Sequence, residues 1–280
     1  MSARHDRPQR RPDHLVRYAR FPVPGVEAME ATTARSYPRH THDQFGLGVV
    51  TDGRHASWSG VGQVEAGPGD FICVNPGEVH DGHGVAGRRR SWRILYFEPG
   101  VVAEIRADIG ERRLANYEFE SPVFSQPELR DHFNRAYALI AAGSSGGIHM
   151  EAETRLFELF ARLTPKPLGQ ARTASCKPRI RRTKQLIDDS PALSWSLSHL
   201  ARAVGLSRYQ LIREFSRELG LTPHSYIVQR RLELAKRLMR AGRALADVAL
   251  TAGFSDQSHL TRTFARQYGV TPHQYRLGVR

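Results

Sequence analysis

One sequence pattern is written twice in the last hundred residues of the chain. The first copy occupies residues 200–226 and the second occupies residues 248–275. Each copy has a Gly-x-Ser triplet near its start, an Arg two residues before a Phe, and a closing Thr-Pro-His-x-Tyr motif. The triplet glycines, Gly205 and Gly253, are 48 positions apart. A repeat of this period predicts two copies of one supersecondary unit.

Each copy contains the signals of two short helices joined by a tight turn. In the first copy, Ser207 is a good N-cap and Gly220 fits the position just after a helix. Leu211, Phe215 and Leu219 are four residues apart, so they form one buried stripe and leave the polar side chains outside. The pattern predicts a helix-turn-helix whose second helix covers 208–218, and the second copy predicts an equivalent helix over 256–268.

A longer helix is predicted between the two copies. Thr222 is a good N-cap, Pro223 suits the first helical position and Gly242 ends the segment. About 19 residues at 1.5 Å each span about 28 Å, close to the ~34 Å of one DNA turn. A rigid spacer of that length can hold two helices in successive major grooves on one face of a duplex.

The positive charge of the chain lies entirely on the repeated part. Residues 1–170 contain 21 Lys/Arg and 21 Asp/Glu, whereas residues 171–280 contain 20 Lys/Arg and 7 Asp/Glu. The net charge of +13 is therefore the charge of the C-terminal part alone. A basic domain attached to a neutral one is typical of a protein that binds nucleic acid through one domain.

The texture of the chain changes four times, which predicts an α+β multidomain protein. Short apolar stretches separated by Gly/Pro turns indicate an antiparallel barrel in the first half, and helical spacing follows it. The predicted divisions are a disordered arm (1–20), a β-barrel (21–125), a helical dimerisation segment (126–164), a linker (165–178) and an all-α domain of two helix-turn-helix motifs joined by a long helix (179–280).

The helical segment after the barrel carries an apolar stripe that either of two surfaces could bury. Leu129, Phe133 and Tyr137 recur at helical spacing, and we predict them as candidates for a homodimer surface. The alternative is that the stripe packs on the barrel of its own subunit. No run of about 18 apolar residues exists and the N-terminus lacks an apolar signal-peptide core, so we expect a cytoplasmic, nucleoid-associated protein with no membrane partner.

The repeats closely resemble the DNA-binding domain of the AraC family of bacterial transcription regulators. The residues that carry the resemblance are Gly-Leu-Ser at 205–207, Gly-Phe-Ser at 253–255 and Gly-Val-Thr-Pro-His-Gln-Tyr-Arg at 269–276. The resemblance implies that each second helix enters a major groove of double-stranded DNA. By position it implies the following DNA-binding residues: Ser207, Arg208, Tyr209, Ile212, Arg213, Gln257, Ser258, His259 and Arg262.

The chemistry of these side chains suits base recognition. Arg can bind guanine O6 and N7 in a bidentate manner, Gln can bind adenine, and an aliphatic side chain can meet a thymine methyl. Alternatively, Arg213 and Arg262 contact only phosphates or form salt bridges with a neighbour such as Glu214, and Ile212 packs. The two helices differ in their exposed residues, so one chain is expected to recognise an asymmetric site.

The N-terminal half resembles the cupin-like effector domain of the same family. His40-Thr-His42, the Gly-Pro-Gly-Asp turn at 67–70 and Pro-Gly-Glu-Val-His at 76–80 carry this resemblance. It implies a barrel pocket that binds a small organic effector, and the predicted lining residues are His40, His42, Trp58, His80 and Tyr96. The carboxylate of the cupin metal motif is replaced by Gly46 or Leu47, so no metal or other cofactor is expected. The three histidines are the candidate residues for a metal site, if one is present.

Three functional classes follow from these features. The first is an AraC-type regulator, controlled by an effector in the barrel, with promoter DNA as a partner and RNA polymerase as a further candidate partner. The second is a cupin metalloenzyme, an oxygenase or isomerase, with a DNA-localising domain; the missing carboxylate disfavours it, and no catalytic residue is predicted. The third is an architectural DNA-binding protein without an effector.

Overall fold

The N-terminal half of the computed structural model consists of two antiparallel sheets. The structure describes residues 14–20, 24–109, 117–142, 148–163 and 177–279. The six-stranded sheet has the order β1-β2-β9-β4-β7-β10, and the four-stranded sheet has the order β3-β8-β5-β6. The strands are β1 (His14–Arg20), β2 (Val26–Thr33), β3 (Tyr37–His40), β4 (Phe45–Asp52), β5 (His55–Ser59), β6 (Gly62–Ala66), β7 (Phe71–Val74), β8 (His80–Gly84), β9 (Arg90–Phe97) and β10 (Val123–Phe124).

The central strands of the larger sheet are buried on both faces. On β9, Leu95 and Phe97 join the main apolar core, whereas Trp92 and Ile94 join a second apolar cluster on the other face. Successive side chains of a strand point to opposite faces, so one strand serves both clusters. The face with the second cluster borders an internal cavity.

Three helices cover the outer face of the larger sheet. They are α1 (Pro99–Asp108), α2 (Pro127–Ala141) and α3 (Ile148–Arg162). The α1 helix lies within the segment predicted as β-rich, and Pro99 at its first turn is the local signal for it. The Gly/Ser stretch at 143–147 and most of the predicted linker, residues 165–176, lie outside the described residues.

The apolar stripe of α2 packs within its own subunit. Leu129 and Phe133 are fully buried and Tyr137 is 6% exposed, all in the same core as the strands of the larger sheet. The prediction of a homodimer surface made of these three residues is therefore wrong. Helical spacing shows that a stripe is buried but cannot show which surface buries it.

The predicted disordered arm is also wrong for the part that the structure describes. His14–Arg20 form β1, which pairs with β2 along seven residues. Val16 and Tyr18 pack against the apolar cluster of the C-terminal helices. This partner lies more than 200 residues away in the chain, so the local composition of the arm could not reveal it. Residues 1–13 lie outside the described residues.

The C-terminal half is all helical and contains two apolar clusters, one for each repeat. Thr222 caps the long helix by accepting a hydrogen bond from the backbone N–H of Ser225, and Pro223 is its first residue, as predicted. Its 18 residues correspond to about 27 Å. The helices are α4 (Pro178–Asp189), α5 (Leu197–Ala203), α6 (Arg208–Leu219), α7 (Pro223–Arg240), α8 (Leu245–Thr251), α9 (Gln257–Tyr268) and α10 (Pro272–Gly278).

The two halves pack against each other. The α10 helix contacts β1, and α9 contacts β3. The ring of Tyr18 meets that of Tyr275 edge-on at 5.2 Å, and Nε2 of His14 lies 2.8 Å from the carbonyl oxygen of Gly269. No helix in the described part of the chain is long and apolar enough to span a lipid bilayer.

Candidate functional site

The second helix of each repeat begins at a well-formed cap. The Ser207 hydroxyl accepts a hydrogen bond from the Gln210 backbone N–H, and the Gln210 side chain accepts one from the Ser207 N–H. In the second repeat, Asp256 accepts a hydrogen bond from the His259 backbone N–H at 2.7 Å. Both helices end at a left-handed glycine, Gly220 or Gly269. These local signals fix where each helix begins and therefore which residues form its exposed face.

The α6 helix presents an exposed face that combines positive and apolar groups. Tyr209 is 71% exposed and Ile212 is 39% exposed, so Ile212 does not pack in the core. Arg208 and Arg213 are exposed, and the Arg213 guanidinium lies 5.8 Å from the centre of the Tyr209 ring. Glu214 pairs with Lys177 at 3.1 Å, and within the described residues it forms no salt bridge with Arg213. The Arg213 side chain is therefore available to an external partner.

The α9 helix presents a different set of side chains. Gln257, Ser258 and Arg262 are exposed. His259 is half-buried: its ring packs edge-on against Phe254 at 5.2 Å, and its Nδ1 lies 3.1 Å from the Ser255 hydroxyl. The first exposed turns of α6 and α9 thus offer different donors and acceptors.

A cavity lies between the sheets and the C-terminal helices. Of the predicted lining residues, His40, His42, His80 and Tyr96 border this cavity. Trp58 does not, because β5 points alternate side chains to opposite faces and Ser57 and Ser59 occupy the cavity side. The Trp58 indole instead packs under the Arg39 guanidinium at 4.0 Å.

Residues from the C-terminal half complete the cavity wall. Lys236 of α7 and Gln267 and Tyr268 of α9 border the same space as the barrel histidines. Lys236 is 4% exposed, and its ammonium lies 3.4 Å from Oε1 of Gln44. The barrel resemblance suggested a pocket inside one domain, whereas the structure has a cavity shared by both halves.

Three histidine rings meet at this cavity. The ring centres of His40 and His80 are 4.3 Å apart, those of His42 and His80 are 4.9 Å apart, and those of His40 and His42 are 5.8 Å apart. Burial lowers the pKa of His40 and of His80. Burial, together with the nearby His40 and Lys236, lowers the pKa of His42 to about 3. The three imidazoles are therefore neutral at pH 7.

A buried charged network joins the halves beside the cavity. Oε1 of Glu27, on β2, accepts hydrogen bonds from Nε of Arg240 at 2.7 Å and from the Tyr275 hydroxyl at 2.8 Å. Nζ of Lys236 lies 3.9 Å from Oε2 of the same carboxylate. Burial opposes the charge of Glu27, but Lys236 and Arg240 outweigh it and lower the pKa of this carboxyl.

Sequence reasoning missed this network. The signal was Glu27 between the apolar residues Val26 and Ala28, together with Lys236 and Arg240, which lie one turn apart on α7. Charged residues are almost never fully buried unless they are paired, so each of these positions indicated a partner. Nothing in the sequence indicated that the partners lay in different halves.

The loop before β8 forms a further contact between the halves. Val79 packs against the apolar cluster of the first repeat and lies beside Gly220 at the end of α6. The next residue, His80, belongs to the histidine group in the cavity. The cavity wall and the first helix-turn-helix are therefore adjacent through two consecutive residues.

Comparisons with known proteins agree with both halves of this architecture. Residues 23–160 match the AraC-like ligand binding domain, and residues 200–278 match a helix-turn-helix domain. The HTH-type transcriptional regulator YbfI of Bacillus subtilis is 27% identical over 226 residues, which cover 81% of this chain and 82% of that protein. The arabinose operon regulatory protein of Escherichia coli is 29% identical over 206 residues, 69% of this chain and 67% of that protein.

Solved structures of ToxT from Vibrio cholerae share the whole fold. One ToxT structure has a TM-score of 0.51 with 10% identity and covers 95% of this chain and 98% of its own. Another, with an unsaturated fatty acid bound, has a TM-score of 0.54 with 11% identity and covers 95% of each chain.

The two domain matches, the relatives and the doubled helix-turn-helix agree, and the chain belongs to the AraC family of transcription regulators.

Proposed function

We propose that this regulator couples the occupancy of its cavity by a small-molecule effector to the placement of α6 and α9 on promoter DNA. The observation that carries the proposal is the shared cavity wall, in which Lys236, Gln267 and Tyr268 face the barrel histidines. An effector that contacts both halves binds one arrangement of them better than another, and that difference is the requirement for a ligand to shift an equilibrium.

DNA binding is assigned to the exposed faces of α6 and α9. The proposed contacts are Ser207, Arg208, Tyr209, Ile212 and Arg213 in the first repeat, and Gln257, Ser258, His259 and Arg262 in the second. Their support is the exposure of most of these side chains, including Arg213, which forms no salt bridge among the described residues, and the concentration of positive charge in the C-terminal half. Ser207 contributes its cap and a helix N-terminus, which favours a phosphate.

The relatives are transcription regulators, and nothing in them favours the metalloenzyme alternative. We therefore propose a non-enzymatic protein that acts in the cytoplasm at the nucleoid. A homodimer and a contact with RNA polymerase remain parts of the proposal. The stripe on α2 is no longer a candidate for the dimer surface.

The effector class is also part of the proposal. The cavity combines aromatic and aliphatic walls with one buried ammonium, that of Lys236, which suits an organic molecule with an apolar body and an acceptor group. Carboxylic acids form the first class to screen, because a ToxT structure of the same fold has an unsaturated fatty acid bound.

The DNA contacts are tested on the full chain by fluorescence anisotropy with the promoter of its own gene and with scrambled DNA. We expect Arg213→Ala and Arg262→Ala each to weaken promoter binding by about 1–3 kcal/mol and to narrow the gap between promoter and scrambled DNA. Arg54→Ala, which removes an exposed arginine of the barrel, is the matched control and should change neither value.

Two results would count against these roles. If each substitution lowered the affinity for promoter and scrambled DNA equally, both arginines would be phosphate contacts. In that case the slope of log affinity against log salt concentration would also be smaller by about one. Wild-type binding that does not weaken with salt would contradict the regulator proposal itself.

The coupling between effector and DNA is tested in the same assay, with added compounds that raise the melting temperature of the chain. A compound that stabilises the chain without changing its affinity for the promoter would contradict the coupling.

A further inference from the structure

The histidine group in the cavity has the arrangement of a metal site. Nδ1 of His40 lies 2.7 Å from the carbonyl oxygen of Pro38, Nδ1 of His42 lies 3.3 Å from that of Gln44, and Nδ1 of His80 lies 3.1 Å from that of Glu78. A carbonyl oxygen can only accept, so each Nδ1 carries the proton. All three rings therefore expose an unprotonated Nε2.

Metal-binding histidines commonly show this pattern. The ring nitrogen that does not bind the metal donates to a backbone carbonyl, which fixes both the tautomer and the orientation of the ring. In this chain the pattern occurs three times, on β3, on the loop after it and at the start of β8. The backbone of the barrel thus holds three acceptors ready for one cation.

The three rings lie close enough together for one nitrogen of each to bind a shared ion. One ring nitrogen of each histidine lies within 4.8 Å of those of the other two. In a tetrahedral zinc site with Zn–N distances near 2.05 Å, the ligand nitrogens are about 3.3 Å apart. A bound ion therefore requires the three rings to lie closer together than they do in this structure.

One member of the group is buried without a partner. His42 is 5% exposed, and its Nε2 has no hydrogen-bond partner among the described residues. Burial of a polar atom without a partner is costly, and native structures rarely tolerate it. A cation between the rings satisfies this atom together with the free nitrogens of His40 and His80.

We propose that Nε2 of His40, His42 and His80 binds a divalent transition metal, with zinc as the reference ion. The set contains only imidazoles, which suit Zn²⁺, Ni²⁺, Cu²⁺ and Fe²⁺ and do not suit Mg²⁺ or Ca²⁺. The missing cupin carboxylate, which disfavoured a metal at the level of sequence, leaves a three-histidine site with one open position. The three histidines border the cavity, where a water or an oxygen of an effector can complete the coordination.

The test uses the full chain purified without a histidine tag and stripped with a chelator. Co²⁺ serves as the spectroscopic probe and Zn²⁺ as the competitor. We expect one Co²⁺ per chain with a visible d–d absorption band, which one equivalent of Zn²⁺ abolishes. His42→Gln and His80→Gln should each weaken binding at least 100-fold. His83→Gln, which removes a histidine of the same strand β8 outside the group, should bind as the wild type does.

Results on the wild type or on the variants can overturn the proposal. It is wrong if the stripped chain takes up neither Co²⁺ nor Zn²⁺ in a saturable one-to-one manner. It is equally wrong if His42→Gln and His80→Gln retain wild-type affinity, because the metal then lies elsewhere. Histidine-selective ¹H–¹⁵N spectra of the wild type check the site even where a variant does not fold: Zn²⁺ must shift Nε2 of three histidines and leave their Nδ1 protonated.

Discussion

The substitution Glu27→Gln tests how the two halves are held together. Glu27 is 3% exposed, and the hydrogen bonds from Arg240 and Tyr275 both end on its Oε1. Glutamine keeps an oxygen at this place but loses the charge. Its amide nitrogen takes the place of Oε2, which faces the ammonium of Lys236 at 3.9 Å. The variant therefore leaves the buried Lys236 and the partly buried Arg240 with less compensation and adds a donor beside Lys236.

The magnitude follows from the distances and the remaining partners. Two unit charges 3.9 Å apart interact by about 4 kcal/mol at an effective dielectric constant of 20. Removal of one partner of a buried ion pair typically costs about 3–5 kcal/mol. Lys236 keeps Glu233 at 3.9 Å, and Arg240 keeps the half-exposed Glu98 at 3.4 Å. These second partners reduce the loss, so we expect about 3 kcal/mol, at the lower end of that range.

The assay is urea unfolding followed by tryptophan fluorescence, since Trp92 lies in the barrel and Trp195 in the C-terminal half. With an m-value of about 3 kcal/mol/M, the midpoint should fall by roughly 1 M. The control is Asp43→Asn, which removes an ion pair with Arg230 that also joins the halves. The Asp43 carboxylate is half-exposed and Arg230 keeps Asp188 at 3.0 Å, so the loss should be less than about 1 kcal/mol. An equal or smaller effect of Glu27→Gln would refute the reasoning.

The same variant has a defined pH dependence. The pKa of Glu27 is lower in the folded chain than its ordinary value of 4.5, because Lys236 and Arg240 outweigh the effect of burial. The unfolded chain therefore takes up this proton first as the pH falls. The stability that Glu27 contributes is fully present above pH 4.5 and declines below it. The difference between wild type and Glu27→Gln should be constant near neutral pH and shrink on acidification below pH 4.5.

Two further substitutions test the packing of each half. Phe133→Ala should destabilise the chain by about 3–5 kcal/mol and leave its molar mass in solution unchanged, because Phe133 is fully buried in its own subunit; dissociation of a dimer at unchanged stability, seen by light scattering, would contradict this. Gly253→Ala should lower the free energy of unfolding more than Gly205→Ala, for which a loss of about 1–2 kcal/mol is expected. Both glycines have positive φ, but an added Cβ at Gly253 lies 2.7 Å from the Ala192 carbonyl oxygen, whereas an added Cβ at Gly205 meets open space. Equal melting temperatures of the two variants would show that the contact with Ala192 does not destabilise the chain.

The C-terminal half could be predicted closely because its signals are local. Ser207, Thr222 and Thr271 each cap a helix with a hydrogen bond to a backbone N–H three residues later, and Gly220 and Gly269 end the two second helices. Such caps act within one turn, so the sequence carries them directly. The concentration of positive charge in the C-terminal half also indicated DNA as the partner, because net charge can be counted from the sequence alone.

The barrel and its cavity were predicted less well because their determinants act over long distances in the chain. The position of Trp58 depends on which face of β5 meets the cavity, and that is set by register with β6 and β8. Strand β1 forms because its apolar side chains meet helices at the other end of the chain. Glu27 is buried because α7 supplies two cations. Each of these facts needs a partner that no local window contains.

The contacts of α7 and of the segment at 79–80 connect one cavity with the packing of both repeats. Lys236 of α7 reaches the cavity, and α7 contributes to the apolar clusters of both repeats through Ile227 and Leu232. Val79 packs beside the end of α6, and the next residue, His80, is one of the three cavity histidines. A change in the cavity thus acts directly on α7, which lies between the repeats, and on the end of α6. Because packed interfaces are bistable and do not deform continuously, such a change is expected to select one docked arrangement and not to bend it.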